Sequence, residues 1–309
     1  MRSSIRSILG EILGRGAFGE VMVAECERTG MEFALKKIKK PNKIMMSEED
    51  FKEIARLKKE VKILKSLDHP NIIKVFDYFQ DSSSYYIMME YCKGGDLEER
   101  IEHYGAFFEE YAASIMKQIF SAVNYCHTNQ VIHRDLKPNN ILFESEGDNI
   151  VKLADFGCSA LHDEDGTAKT TEGTLFYAAP EIFYDSSYDE KCDMWSLGVI
   201  LYEILTGRRP FEGTEDEVIE MLKTGEYSFD EKDEKSISHE AKDLISKLLR
   251  HTPADRLTCE QALRSDWILR KAKHEKLETI PLAREALQTM MDFKPQKRTI
   301  KAVASLYIA

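Results

Sequence analysis

His133-Arg134-Asp135-Leu136-Lys137-Pro138-Asn139-Asn140, followed by Asp155-Phe156-Gly157, packs an acid, a lysine, an amide and a second acid into one short span. Asp135, Lys137 and Asn140 fall within six positions, and Asp155 stands directly before an apolar-glycine pair. That set suits a base, a phosphate contact and two metal ligands. Hard oxygen donors such as Asn140 and Asp155 favour Mg²⁺ over softer ions. The bland alternative, a polar loop closing a hairpin, accounts for one such motif but not for an ordered series of them.

Toward the N-terminus, Gly14-Arg15-Gly16-Ala17-Phe18-Gly19-Glu20-Val21 lies between two strand-like segments. Glycines let main-chain N–H groups approach a phosphate without a Cβ in the way. Alone the motif is equally a hairpin whose glycines serve turn geometry. No helix opens straight after it, which excludes the dinucleotide fingerprint, and it lacks the Gly-Lys-Ser/Thr ending of the other common phosphate loop. Lys36 closes the apolar run Phe33-Ala34-Leu35. Glu60 lies three residues after Leu57 and four before Leu64, on the apolar face of a helical segment, where a carboxylate needs a partner. Lys36 is a natural partner, although spacing alone leaves it one more lysine beside Lys37, Lys39 and Lys40.

Around these motifs the chain has two textures. Ile8 to Ala24, Glu32 to Ile38, Ile72 to Tyr78 and Tyr85 to Tyr91 read as strands, with one helix over Ser47 to Leu67. After Gly94-Gly95 helical patterns dominate from Asp96 to about Arg270, and Thr258 with Gln261 forms a capping box. The expectation is an α+β fold: a small strand-rich lobe over residues 1–91, a short hinge, and a larger helical lobe over 92–270. The 309 residues, 43% hydrophobic and 31% charged, exclude a disordered or collagen-like chain. No run approaches the roughly 18 apolar residues of a membrane span. The N-terminus shows no signal core, and Arg2 stands where myristoylation needs glycine. Six scattered cysteines without a Cys-x-x-Cys pair suit a reducing compartment, cytoplasmic with the nucleus also open. With 43 Lys+Arg against 54 Asp+Glu the net charge is −11, which disfavours nucleic acid and suits a basic partner.

Taken together, the motifs resemble those of a eukaryotic Ser/Thr protein kinase catalytic domain from about Ile8 to Arg270, and they fall in kinase order. After the catalytic loop and Asp-Phe-Gly come Ala179-Pro180-Glu181, Asp193-x-Trp195-Ser196-x-Gly198 and Arg256. Within that family, Leu67-Asp68-His69-Pro70-Asn71-Ile72 and Ala262-Leu263…Trp267-Ile268 resemble the calcium/calmodulin branch. Residues 271–309 are similar to the inhibitory junction of calcium-dependent protein kinases.

The resemblance implies a bilobal fold binding ATP and Mg²⁺, and it implies roles. Gly14, Gly16, Phe18 and Gly19 would cover the nucleotide. Lys36 would hold its α/β-phosphates and Glu60 would hold Lys36. Asp155 and Asn140 would bind the metal ions. Asp135 would take or orient the substrate hydroxyl's proton while Lys137 steadies the γ-phosphate. Adenine would lie between Val21, Ala34 and Leu142 against the backbone of Glu90 and Cys92, with Met89 as gatekeeper. Lys137 and Gly173-Thr174 resemble the Ser/Thr rather than the Tyr pattern, and Arg256 would pair with Glu181. A catalytically dead scaffold of the same fold would show decay at Lys36, Asp135, Asn140 or Asp155, and none has decayed.

Regulation and specificity are expectations of the same kind. Asp96 and Glu203 match positions that recognise basic residues, implying protein substrates with Arg three residues before the phosphosite. For both, a solvated surface acid is the competing reading. Thr170 is a candidate activation-loop phosphosite facing Arg134 and Arg56, with Glu172 or Asp163 to Asp165 as acidic substitutes. Leu287, Met290 and Met291, then Ile300, Val303 and Tyr307, repeat at helical spacing beside Lys294, Lys297, Arg298 and Lys301. That pattern suits calmodulin or an EF-hand domain; an ordinary terminal helix on the large lobe is the alternative. No EF-hand loop occurs in the chain, so a calcium sensor would lie outside it.

Overall fold

A computed structural model describes residues 7–16, 19–26, 29–40, 48–147, 149–156, 160–161, 175–184 and 189–272. Phe18, Thr170, Gly173 and the segment 273–309 lie outside these residues, as does the side chain of Glu60.

The small lobe is built on one antiparallel sheet in the order β1-β2-β3-β5-β4. Its strands are β1 (Ser7–Gly16), β2 (Gly19–Glu25), β3 (Glu32–Lys39), β4 (Val75–Gln80) and β5 (Ser84–Met89). Helix α1 (Glu48–Ser66) connects β3 to β4. Strand alternation sorts β3 between two faces. Ala34 and Ile38 enter the main core, while Phe33 and Leu35 join Met22, Ala24 and Met88 on the opposite face. Lys36 has the parity of the core face, opposite Val21 and Ile87 in the ladders, and is only 5% exposed. The chain therefore buries a charge in its small lobe by register alone.

The large lobe contains α2 (Leu97–Tyr104), α3 (Glu109–Thr128) and two short hairpin pairings: β6 (Val131–Ile132) with β9 (Ala160–Leu161), and β7 (Ile141–Phe143) with β8 (Val151–Leu153). It continues through α4 (Glu181–Tyr184), α5 (Lys191–Thr206), α6 (Glu215–Thr224), α7 (Glu231–Ser236), α8 (His239–Leu248), α9 (Cys259–Leu263) and α10 (Asp266–Lys271). Helix α5 is apolar nearly all round, as a central helix must be. At Gly198 a Cβ would sit 2.8 Å from Leu249 and 2.9 Å from Leu248, so only glycine lets α8 pack this closely. Gly207 ends α5 in the left-handed region at φ 75°. The capping box expected at Thr258 and Gln261 opens α9. Among the described residues no helix is long and apolar enough to cross a membrane.

One strand expectation needs correction. The run Ile72 to Tyr78 enters the sheet only at Val75. Upstream, the backbone is drawn to the large lobe: Ile73 N–H donates to Leu153 O at 2.9 Å and Leu153 N–H to Asn71 O at 2.8 Å. Asn71 Nδ2 donates to Gln118 Oε1 on α3 and to the Val151 carbonyl, both at 2.9 Å. A polar side chain at the head of an apolar-looking run, Asn71, thus redirects the chain to stitch the lobes together.

Candidate active site

The catalytic loop leaves β6 under the control of a buried carboxylate on α5. Asp193 Oδ2 accepts the His133 N–H at 2.9 Å, Oδ1 accepts the Arg134 N–H at 2.8 Å, and His127 Nε2 donates to Oδ2 at 2.8 Å. Burial alone would raise the pKa of Asp193; His127, His133 and these donors reverse that, and the group lies below the usual carboxylate range. Arg134 is held at φ 69°, a left-handed backbone uncommon outside glycine. His133 bridges two segments: its Nδ1 accepts the Asp135 N–H at 3.3 Å while Nε2 meets the Ala154 carbonyl at 3.1 Å. These contacts assign the proton to Nε2. The ring also packs edge-on against Phe156, centroids 4.7 Å apart.

Pro138 opens a single 3₁₀ turn over Pro138–Asn140, which folds Asn140 back over Asp135. Asn140 Nδ2 donates to the Asp135 carbonyl at 2.6 Å and to Asp135 Oδ2 at 3.1 Å. Lys137 Nζ lies 3.2 Å from Asp135 Oδ1. Both carboxylate oxygens of Asp135 are thereby aimed, and the residue is 4% exposed. Burial pushes its pKa up; the Asp155 charge adds to this, while Lys137 and His133 oppose it. A carboxylate shifted this way is a better proton acceptor than one in water. Asp155 arrives beside it because Ala154 N–H donates to Asn140 O at 2.8 Å, and its φ of 58° is again left-handed.

Asp155 and Lys36, from opposite lobes, line one cleft of about 630 Å³. Val21, Ala34, Met89, Glu90, Cys92 and Leu142, the residues expected around adenine, all line it. Leu13, Ile73 and Ala154 complete an apolar wall that sequence reasoning did not assign. Gly14 is buried, and Gly16 pairs with Gly19 at the closed end of the β1–β2 ladder. Burial drives the Cys92 thiol pKa far up, so this cysteine is a packing group and not a nucleophile. The donors fit a divalent ion. Asn140 Oδ1 is a buried acceptor with no hydrogen-bond partner, and Asp155 stands across the same loop. Among the described residues no three acidic, His or Cys side chains gather into a protein-only metal cage. Two hard oxygen donors suit an ion that shares its remaining positions with phosphate and water.

The hinge is fastened by a residue the motif search overlooked. Lys152 on β8, nearly buried, lies 2.7 Å from Glu90 Oε1 and 3.4 Å from Glu144 Oε1. Glu90 also exchanges bonds with Lys74: its N–H donates to Lys74 O at 2.9 Å, and its Oε2 accepts the Lys74 N–H at 3.3 Å. Lys93 N–H donates to Glu144 O at 3.0 Å. The signal was in Val151-Lys152-Leu153: a lysine between two apolar strand residues implies a carboxylate partner.

On the far side of the catalytic loop, Arg256 forms the expected pair with Glu181, NH1 to Oε1 at 2.6 Å and NH2 to Oε2 at 2.7 Å. Its other donors reach the carbonyls of Arg250, Lys191 and His251, so a fully buried guanidinium is satisfied on every side. Glu203 accepts from Tyr177 OH at 2.7 Å, and burial raises its pKa to about 7. Asp96 is 2% exposed and caps α2, accepting the Glu99 N–H at 2.9 Å; burial pushes its pKa up to about 8. The structure therefore brings together Lys36, Asp135, Lys137, Asn140 and Asp155 with the adenine-side residues. Asp96 and Glu203 each have a local partner outside that set: Asp96 accepts the Glu99 N–H and its backbone pairs with that of Leu142, and Glu203 accepts from Tyr177.

The protein kinase domain family matches residues 8–268. The chain belongs to that family. This kinase domain is 40% identical over 302 residues to "Calcium-dependent protein kinase 4" of Plasmodium berghei, covering 96% of the chain and 56% of the relative. The Plasmodium falciparum protein of that name is 39% identical over the same span. "Calcium-dependent protein kinase 3" of Plasmodium berghei is 41% identical over 264 residues, 84% of the chain and 46% of the relative. The chain spans about half the length of the curated relatives it matches.

Proposed function

We propose that this kinase domain transfers the γ-phosphate of ATP to Ser or Thr hydroxyls of protein substrates, under calcium control exerted by an EF-hand module outside the chain. One observation carries the catalytic part: Asp135, oriented by Asn140 at 3.1 Å and Lys137 at 3.2 Å, stands in the same loop framework as Asp155, which shares a cleft with Lys36. Phosphoryl transfer asks little covalent chemistry of a protein, so positioning and charge neutralisation dominate. Asp135, its two oxygens aimed by Asn140 and Lys137, accepts the substrate hydroxyl's proton. Lys137 faces the transferred group, Lys36 the phosphates behind it, and the Glu90–Cys92 backbone the adenine. Asn140 Oδ1 and Asp155 would hold Mg²⁺, which when bound neutralises phosphate charge. Glu60, on α1, is the partner we assign to Lys36, and Gly14, Gly16, Phe18 and Gly19 the cover over the phosphates.

The names of the relatives, and a basic amphipathic tail read from Leu287 to Tyr307, support calcium control through capture of that tail by an EF-hand domain or calmodulin. Phosphorylation of Thr170 is proposed because Arg134 and Lys59 bring two cations together: burial first, and then the Arg134 charge, lower the Lys59 pKa. Substrates with arginine before the phosphosite are proposed from Asp96 and Glu203. Buried thiols at Cys92, Cys126, Cys192 and Cys259 support a reducing compartment, the cytoplasm or nucleus.

The test is Mg²⁺-dependent transfer of labelled γ-phosphate to a Ser peptide and its Tyr counterpart, for this chain and for one ending at Lys273. Transfer to Ser alone, raised by truncation, supports the reading. No transfer from either chain contradicts the catalytic part, and equal activity of the two contradicts the tail's inhibitory role.

A further inference from the structure

Two neighbouring side chains of one 3₁₀ turn, Leu175–Tyr177, hold opposite charges side by side. Tyr177 OH donates to Glu203 on α5 at 2.7 Å, and the Phe176 ring seats the guanidinium of Arg209, its Cζ 4.0 Å from the centroid. Arg209 follows the left-handed cap at Gly207, and its main chain is pinned by Glu212, whose Oε1 accepts the Arg209 N–H at 3.0 Å. Backbone and side chain are therefore both fixed, and Arg209 is half-buried.

The surroundings of this cation connect it to the catalytic loop. Its charge is felt at Glu203, at Tyr177 and at Glu98 on α2. Glu98 also feels Lys137, the residue 3.2 Å from Asp135. Glu98 further senses Glu102, and Glu203 senses Glu212, so the neighbourhood is otherwise acidic. A carboxylate-lined surface leading away from the phosphoacceptor site thus carries one built-in arginine.

We propose that Arg209, seated on Phe176 between Glu203 and Glu98, is a specificity-determining residue that occupies the basic-residue subsite of the substrate groove and competes with arginines of the incoming peptide. This rests on the reading of Glu203 as a substrate-facing carboxylate. The chemical argument is a charge balance. Each carboxylate that already has a guanidinium nearby gains less from a second one, so a peptide arginine must displace Arg209 from its seat or share its counter-charges. Removing Arg209 makes the groove more negative and selectively improves basic substrates. It leaves ATP, bound on the far side of Lys137, unaffected.

The experiment compares two Ser peptides differing only by Arg or Ala at the third position before the serine, with parallel pairs for the other upstream positions. KM and kcat are measured at pH 8, above the pKa of about 7 at Glu203, for the wild type, Arg209→Ala, Arg209→Lys and Phe176→Leu. Arg209→Ala is expected to lower KM for an arginine peptide by about two- to fivefold, the range of a partly screened ion pair. Phe176→Leu, which removes the seat but keeps the charge, is expected to act in the same direction more weakly. KM for the alanine peptide, KM for ATP and kcat stay at wild-type values, and Arg209→Lys stays near wild type. Equal arginine preference in the wild type, Arg209→Ala and Phe176→Leu overturns this inference alone. Indifference to arginine in all three overturns the underlying reading of Glu203 as well.

Discussion

Asp193 accepts the main-chain N–H of Arg134 at 2.8 Å, and that single bond holds in place a residue whose φ is 69°. The left-handed conformation leads directly into Asp135, whose carboxylate meets Asn140 and Lys137, and the second oxygen of Asp193 takes the His133 N–H at 2.9 Å. Asp193→Ala leaves three donors without their acceptor, the His133 and Arg134 N–H groups and His127 Nε2. At roughly 1–3 kcal/mol for each of the two unsatisfied main-chain groups, it should cost about 2–6 kcal/mol of stability. It should also abolish transfer, because the loop can relax to ordinary φ. Urea unfolding and peptide phosphorylation check the two halves; a stable, active Asp193→Ala enzyme contradicts the anchoring role.

Glu181 and Arg256 give a second stability prediction. Arg256→Met strands a buried carboxylate and three carbonyls, and should destabilise the domain by about 3–5 kcal/mol. Arg256→Lys keeps the charge but cannot reproduce the fork, so it should recover less than half of the loss. Full recovery by lysine in a denaturant melt would show that charge alone matters there.

At Asp96 the sign of the pH dependence can be worked out. Its pKa is raised to about 8 by burial, far above the ordinary carboxylate range, so the folded state binds this proton more tightly than the unfolded state does. Stability is then lost as pH rises from about 4 to 8, by at most ~1.4 kcal/mol per pH unit. Asp96→Asn keeps an N-cap acceptor for the Glu99 N–H and removes the titration. The variant should gain on the wild type steadily between pH 5 and 8 in thermal melts and level off above it. A constant difference across that range refutes the assignment.

Lys152 supplies a prediction about dynamics. Cutting its 2.7 Å contact to Glu90 with Lys152→Met should speed amide exchange at Glu90 and Lys93 by about tenfold, or ~1.4 kcal/mol of local opening. Exchange in α5 should not change. Unaltered hinge exchange would mean that the backbone bonds to Lys74 and Glu144 hold the hinge by themselves.

Much of this site was legible in the chain because its chemistry is local. Asp135, Lys137 and Asn140 are brought together by a single turn started by Pro138, and the alternation of β3 placed Lys36 on the core face. What sequence left unread depends on distant contacts. Asp193 reaches back 60 positions to His133, Lys152 pairs with Glu90 across the hinge, and Asn71 diverts an apolar run away from the sheet. That Asp96 is buried was not legible, because its burial is set by the packing of α2 against the β7–β8 hairpin, which no local pattern encodes. Residues 7–147 nevertheless reproduce the expected order of strand lobe, hinge and helical lobe.

The most direct test of the account is Asp135→Asn, assayed by single-turnover transfer to a Ser peptide alongside ATP binding and thermal melting. The amide keeps the shape of the side chain and one oxygen that can accept from Lys137 or Asn140, but it cannot take the hydroxyl's proton. The account predicts a loss of at least about 10³-fold in the transfer rate, with ATP affinity and melting temperature within error of the wild type. Transfer at a wild-type rate by Asp135→Asn would contradict it.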